Sequence, residues 1–248
     1  MSEILYFDLS SGISGDMFAG ALLDLGADFE KIKRDIAGLK LGVVLTAENV
    51  ERGGVAATKF SVLNSRGRHV EEDYSEEPHR HLSDIREIIN GAALEKEVKR
   101  NALEIFELLA QAEAAAHRSE IDKVHFHEVG AVDAIADIVA AASAFRQFNA
   151  SAYASEINAG SGSVMCAHGE LQIPVPAVKE LLKEVPVYCD DSGTELTTPT
   201  GAAIVKYFCR SFGARPDIKV RASGCGAGSK NLRFPNVFRV VLGEIIGK

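Results

Sequence analysis

The residues best suited to chemistry are histidines and carboxylates gathered in short segments. Of the seven histidines in the 248 residues, five fall in three such segments. The first is His79-Arg80-His81, with His69 upstream. Positions i and i+2 do not share a helix face, but in an extended segment both imidazoles reach one ion. Imidazole suits nickel, zinc and copper. The second is Val124-His125-Phe126-His127-Glu128, which runs on to Asp133. Three possible ligands lie within four residues, and Asp133 and Asp137, four apart, share a helix face. Carboxylates on an apolar helix are costly to bury unless they are paired or bound to metal. The competing reading has these histidines capping a helix whose aspartates face water. The third is Ala167-His168-Gly169-Glu170, where a histidine beside a glycine at a turn can approach a ligand closely. A lone loop histidine also has a plain structural use.

Two further segments suit an anion. Asp8 is followed by Ser10-Ser11-Gly12-Ile13-Ser14-Gly15-Asp16, a small-residue loop between an apolar run and a helical pattern. Backbone N–H groups around Ser11, Gly12, Ser14 and Gly15 can point at a phosphate. Asp8 and Asp16 at the same mouth could hold a metal bound to it. A tight turn with Asp16 as helix cap is the alternative. The loop is neither a Walker loop nor GxGxxG. In Glu195-Leu196-Thr197-Thr198-Pro199-Thr200-Gly201, Thr198, Thr200 and Gly201 offer hydroxyls and helix-start N–H groups, with Thr200 as a simple cap in the competing reading. Gly224-Cys225-Gly226-Ala227-Gly228 reads as a similar loop. None of these residues is assigned as a catalytic acid, base or nucleophile.

The elements that must position these groups follow from periodicity. Ile4 to Leu9 reads as a buried strand and Met17 to Leu25 as a helix closed by Gly26. A second helix covers Glu30 to Ala37. Leu41 to Val50 and Val55 to Leu63 form a hairpin about Arg52-Gly53-Gly54. Asn64 to Pro78 is charged and apolar-poor, the composition of an exposed loop. Leu82 to Ile89, started by Ser83 and Asp84, Leu94 to His117 and Val129 to Phe148 are helical, the last almost wholly apolar and so buried. Ser155 to Val164, Glu170 to Val175, Val185 to Tyr188, Ile218 to Arg221 and Asn236 to Glu244 read as strands. Ala177 to Leu182 and Gly201 to Phe212 read as helices. The fold class is therefore mixed α/β, α+β in layout. Residues 1–149 make a helix-rich half with the His and Asp motifs, and residues 150–248 a strand-rich half, either as two domains or as one continuous domain.

Composition narrows the partners. The formal net charge is −8, from 27 basic and 35 acidic residues, which disfavours a nucleic-acid binder needing a basic face. Apolar runs are broken by charges before bilayer length, and the first residues carry Glu3 and Asp8 without a basic start. The expectation is no membrane and a cytoplasmic protein. The four cysteines, Cys166, Cys189, Cys209 and Cys225, form no CxxC pair and read as free thiols.

In order along the chain, FDLSSGISGDMFAGALLDLGAD, PHRHLSDIREII, VHFHEVGAVDAIADI, AHGELQIPVPA, ELTTPTGAAIV and GCGAGSKNLRFPN resemble the nickel-insertion (LarC) family. The resemblance covers nearly the whole chain. It implies cyclometallation: nickel inserted into a pyridinium bis-thiocarboxylate mononucleotide, bonded to carbon and sulfur, with CTP hydrolysed. The product is the nickel-pincer cofactor of lactate racemase. Cofactors implied are nickel, and magnesium or manganese with CTP. Members of the family carry a longer histidine run before the HRHL motif and continue into a C-terminal domain. By that comparison this chain corresponds to the N-terminal part alone, with a separate C-terminal polypeptide as in members split into two, or to a truncated relative. On this reading His79 and His81 collect nickel at an exposed loop. His125, His127 and Asp133 hold it in an interior cleft, Asp8, Asp16 and His168 are further metal ligands, and the two small-residue loops contact phosphate. A non-catalytic nickel carrier and a metal-dependent phosphohydrolase are the alternatives.

Overall fold

The computed structural model of the chain describes residues 3–70, 80–124, 126, 131–166 and 169–246. His79, His125, His127 and His168 lie outside the described residues, as does most of the charged stretch expected as an exposed loop.

The chain is mixed α/β, as its periodicity predicts. Its centre is a seven-stranded sheet in the order β2-β3-β10-β11-β1-β4-β9. Strand β1 (Glu3–Asp8) lies between β4 (Ser151–Ala154), parallel to it, and β11 (Val237–Ile245), antiparallel. Strand β10 (Ile218–Ala227) pairs antiparallel with β11 and so runs with β1. The C-terminal ends of β1, β4 and β10 therefore share one edge, and the loops that leave them are neighbours. The hairpin β2 (Val44–Arg52) and β3 (Val55–Leu63) extends the sheet at one side, and β9 (Cys209–Phe212) closes the other. Residues from both halves of the chain thus build one sheet.

One face of the sheet carries the helices. Helix α1 (Gly15–Asp24) lies on β10 and β3 at backbone contact distance. Glycines make this possible: a Cβ on Gly224 would lie 2.6 Å from Leu25 N, and one on Gly226 would lie 2.6 Å from Ala21 N and overlap the Met17 carbonyl. Gly224 to Ala227 of the expected phosphate loop, read as running to Gly228, are therefore the end of strand β10, which extends well beyond Arg221. Gly224 and Gly226 serve helix packing. Asp24 ties the far end of α1 to the same strands, accepting from Cys225 N at 2.8 Å and Thr58 Oγ1 at 3.2 Å.

Helix α2 (Phe29–Gly38) starts at Asp28, whose carboxylate accepts from Glu30 N and Lys31 N. Helix α3 (Leu82–Gly91) is capped at His81, whose N–H donates to Asp84 at 2.8 Å. The long α4 (Lys96–His117) and the apolar α5 (Val132–Arg146) fill the helical layer with α6 (Pro176–Leu181) and α7 (Pro199–Phe208). Phe18 of α1 stands edge-on to Phe7 at 5.3 Å and stacks on Phe238 and Phe208, joining α1, the sheet and α7 in one aromatic cluster. Among the described residues no helix is long and apolar enough to cross a membrane.

Two expected elements differ. The strand expected over Ser155 to Val164 is broken into β5 (Ile157–Asn158) and β6 (Ser163–Cys166), because Gly160 and Gly162 turn the chain at positive φ. Strand β5 pairs with β8 (Val187–Tyr188), and β6 with β7 (Gly169–Gln172). The helix expected to Phe212 stops at Phe208, and Cys209–Phe212 joins the sheet edge as β9. Tertiary pairing with β4 overrides local pattern there.

Candidate functional site

The two small-residue loops that are far apart in sequence meet. Ile13 forms a parallel bridge with Thr197; its N–H donates to Leu196 O at 2.9 Å and its carbonyl accepts from Thr198 N at 3.0 Å. Gly12 takes φ +75° against the Leu196 backbone, where a side chain would collide. A Cβ at Gly201 would come within 2.9 Å of Ser14 Cα. The N-termini of α1 and α7 are thereby brought together, each with N–H groups outside the intrahelical ladder and partial positive charge. The caps are not those the competing readings named. Ser14 rather than Asp16 precedes α1. Thr198, not Thr200, caps α7, accepting from Gly201 N at 3.2 Å with Pro199 at the first helical position. Ser11 Oγ donates to Pro235 O at 3.0 Å, and Lys230 Nζ to Thr194 Oγ1 at 2.7 Å, drawing the segment after β10 to the same mouth.

Asn158, only 2% exposed, is the hub of this mouth. Its Nδ2 donates to Ser10 O at 2.9 Å and to Asp190 Oδ2 at 2.8 Å. Its Oδ1 accepts from Gly160 N, and its carbonyl from Thr197 Oγ1 at 2.7 Å. One buried amide thus fixes the loop after β1 relative to the loop before α7. Burial alone would raise the Asp190 carboxyl, but hydrogen bonds from Ser192 and Asn158 outweigh it and hold the group below 3.8. A depressed carboxylate stabilises the fold fully above its unfolded pKa and loses that contribution as the pH falls through the folded value. We expect the 155–198 loops to loosen below about pH 4, seen as a fall in the amide protection factors (exchange relative to the intrinsic rate at each pH) of Gly160 and Ser192, and Asp190→Asn to remove that pH dependence. Protection factors that stay flat across this range in the wild type would contradict the assignment.

The carboxylates take distinct partners. Asp16 accepts from Ser14 Oγ and from Lys59 Nζ, both in very short contacts. Asp8 Oδ1 accepts from Ser10 N at 3.1 Å. Burial, then the carboxylates of Asp190, Asp8 and Glu156, push the Tyr188 phenol above its ordinary value. On α5, Asp137 lies against the start of α1: a Cβ on Gly15 would be 2.6 Å from its Oδ2. Asp133 sits one turn earlier, in the first turn of α5, with its Oδ1 shielded from solvent.

The histidine motifs also meet. Arg80 and Phe126 form an antiparallel bridge, with Phe126 N donating to Arg80 O at 3.2 Å, and His81 Nδ1 lies 3.1 Å from Val124 O. The segments read as an exposed collector and an interior cleft are thus paired at the backbone, a few residues from the start of α5. Among the described residues no three His, Cys, Asp or Glu side chains gather to hold a metal ion. Those residues supply no ligand set for magnesium or manganese.

Lys59 and Asn158 were not singled out by sequence. The available signals were a lone lysine within the otherwise apolar and small VAATKFSVL, and an asparagine just before the Ala159-Gly160 turn.

Comparison with known proteins gives the family. Residues 5–247 match the family model described as nickel insertion protein. Over 242 residues the chain is 48% identical to the pyridinium-3,5-bisthiocarboxylic acid mononucleotide nickel insertion protein of Desulfitobacterium hafniense strain DSM 10664 / DCB-2, covering 97% of this chain and 58% of that protein. Over 248 residues it is 46% identical to the protein of the same name from Geobacillus kaustophilus, covering 98% and 60%. The chain thus spans about three fifths of the length of these curated relatives. No solved structure matches.

Proposed function

The chain belongs to the nickel insertion protein family, and on that footing we propose that it binds nickel and presents it to a pyridinium bis-thiocarboxylate mononucleotide for cyclometallation. The observation that carries this reading is the Arg80–Phe126 bridge, six residues along the chain before the start of α5. It supports one nickel station made from both histidine motifs, His79 and His81 with His125 and His127, where sequence suggested two. Asp133, at the first turn of the helix that follows, orients an imidazole or joins the ligand set. Asp137 carries α5 onto the start of α1, so the nickel station and the anion mouth share one helix.

The mouth supplies the second half of the reaction. The nucleotide phosphate docks on N–H groups at the starts of α1 and α7, with Ser11, Gly12, Ser14, Gly15, Thr198, Thr200 and Gly201 around it. Anchoring a remote phosphate positions the reacting ring without altering its chemistry. The metal leaves nitrogen for sulfur and carbon, and a ring proton is lost. The finer reading is that the product serves lactate racemase and that CTP is hydrolysed in a cytoplasmic reaction completed by a separate C-terminal polypeptide.

The test is to incubate the chain with nickel, the thiolated mononucleotide and CTP, and to follow the nickel adduct by mass. Nickel bound and transferred, with or without that polypeptide, is expected. Nickel bound but never transferred under either condition would reduce the protein to a carrier. CTP hydrolysis without nickel binding would favour a phosphohydrolase.

A further inference from the structure

We propose that Lys59 is the cation that receives the phosphate of the docking nucleotide, exchanging part of its contact with Asp16 for the phosphate oxygens. The inference rests on the reading that a nucleotide docks at the mouth formed by α1 and α7.

Lys59 lies in β3 between the buried Ala57 and Phe60 and is itself 9% exposed. Its ammonium reaches Asp16 in the first turn of α1; the two side chains are 11% and 14% exposed. Stability alone does not account for a charge there. A buried ion pair is seldom more stable than well-packed apolar side chains of the same volume, because two ions are desolvated. Nor does Asp16 require a lysine. Ser14 Oγ already donates to it, and the helix N-terminus already favours a carboxylate.

The pair has a use if an anion arrives. The helix starts that would bind a phosphate already carry Asp16, which repels it. A lysine offers three donors on a flexible stem. Held against Asp16, it neutralises that carboxylate and can turn a second donor toward phosphate without crossing water. Asp16 then keeps Ser14 Oγ and the start of α1. The pair acts as a preformed counter-ion, and discrimination between a nucleotide and its nucleoside resides in Lys59.

Calorimetric titration of the 248-residue chain tests this, using nicotinic acid mononucleotide, nicotinic acid riboside, orthophosphate and CTP as probes. The wild type should bind the mononucleotide and not the riboside. Lys59→Met should weaken mononucleotide binding at least tenfold, and Lys59→Arg by no more than about threefold. Asp16→Asn should bind the mononucleotide a few-fold better than the wild type, because the ammonium is released. That last result is one a purely structural ion pair would not produce, and it stands even if Lys59→Met fails to fold. Lys59 dependence seen with CTP alone would place a triphosphate at the same cation, and dependence with orthophosphate would show that the phosphate group suffices. Binding by Lys59→Met equal to the wild type would overturn the role of Lys59 and leave the docking reading standing. So would equal weakening by Asp16→Asn and Lys59→Met, each with a matching loss of thermal stability. Failure of the wild type to bind any phosphate-bearing probe would overturn both.

Discussion

Gly226→Ala should destabilise the protein by on the order of 3 kcal/mol or more, at the upper end of overpacking effects. The added methyl would overlap the Met17 carbonyl and lie 2.6 Å from Ala21 N, both backbone atoms of α1. No rotamer change relieves a clash with a helix backbone, so α1 must lift from β10. The helix carries Phe18 into the aromatic cluster and Asp16 to the mouth, so the movement reaches core and site together. For a chain of this length each kcal/mol shifts Tm by about 2–4 °C. The matched control is Gly91→Ala at the end of α3, where a Cβ meets nothing within 4 Å. It should be neutral or stabilising by up to about 1 kcal/mol through helix propensity. Equal melting temperatures for the two variants would refute the backbone packing of α1 on β10.

The second large effect is at Asn158. Asn158→Ala leaves Gly160 N without its acceptor and takes a donor from Ser10 O and from Asp190. Each buried group left unsatisfied costs about 1–3 kcal/mol, and with relaxation a net loss of about 2–4 kcal/mol is expected. Asn158→Asp is the sharper variant. It keeps the acceptor for Gly160 but sets an oxygen against Ser10 O and a charge against Asp190. It should be at least as damaging as alanine and should recover as the pH falls toward 4, where one carboxyl of the pair protonates. Both variants should weaken phosphate binding, because the loops after β1 and before α7 are joined through this residue. Aspartate tolerated at pH 7 would mean that Asn158 does not donate in this way.

Much of this fold is readable from local pattern, and the exceptions have particular causes. Helices α1 to α5 and the β2–β3 hairpin follow hydrophobic period, caps and the Gly53-Gly54 turn, all of which act within a few residues. Gly224 to Ala227 misleads because glycine marks either a loop or a close approach, and only the position of α1 distinguishes them. Cys209–Phe212 continues a helical pattern yet pairs with β4, a long-range choice invisible to periodicity. At the site, ligand types and helix starts are legible as motifs. Their joining is not: the Ile13–Thr197 and Arg80–Phe126 bridges span long stretches of chain. The histidine motifs read as two stations for that reason, and Asn158 and Lys59 gain their meaning only from partners distant in sequence.

Nickel titration of histidine variants tests the shared station most directly. The comparison needs the wild type, His79→Ala with His81→Ala, His125→Ala with His127→Ala, and all four together, each confirmed folded by circular dichroism. If the bridged segments hold one ion, each double variant loses the same tight nickel, and the quadruple variant is no worse than either double, the non-additivity expected of ligands to one metal. If each double variant retains a tight nickel and only the quadruple loses both, the motifs hold separate ions and the single-station account is wrong.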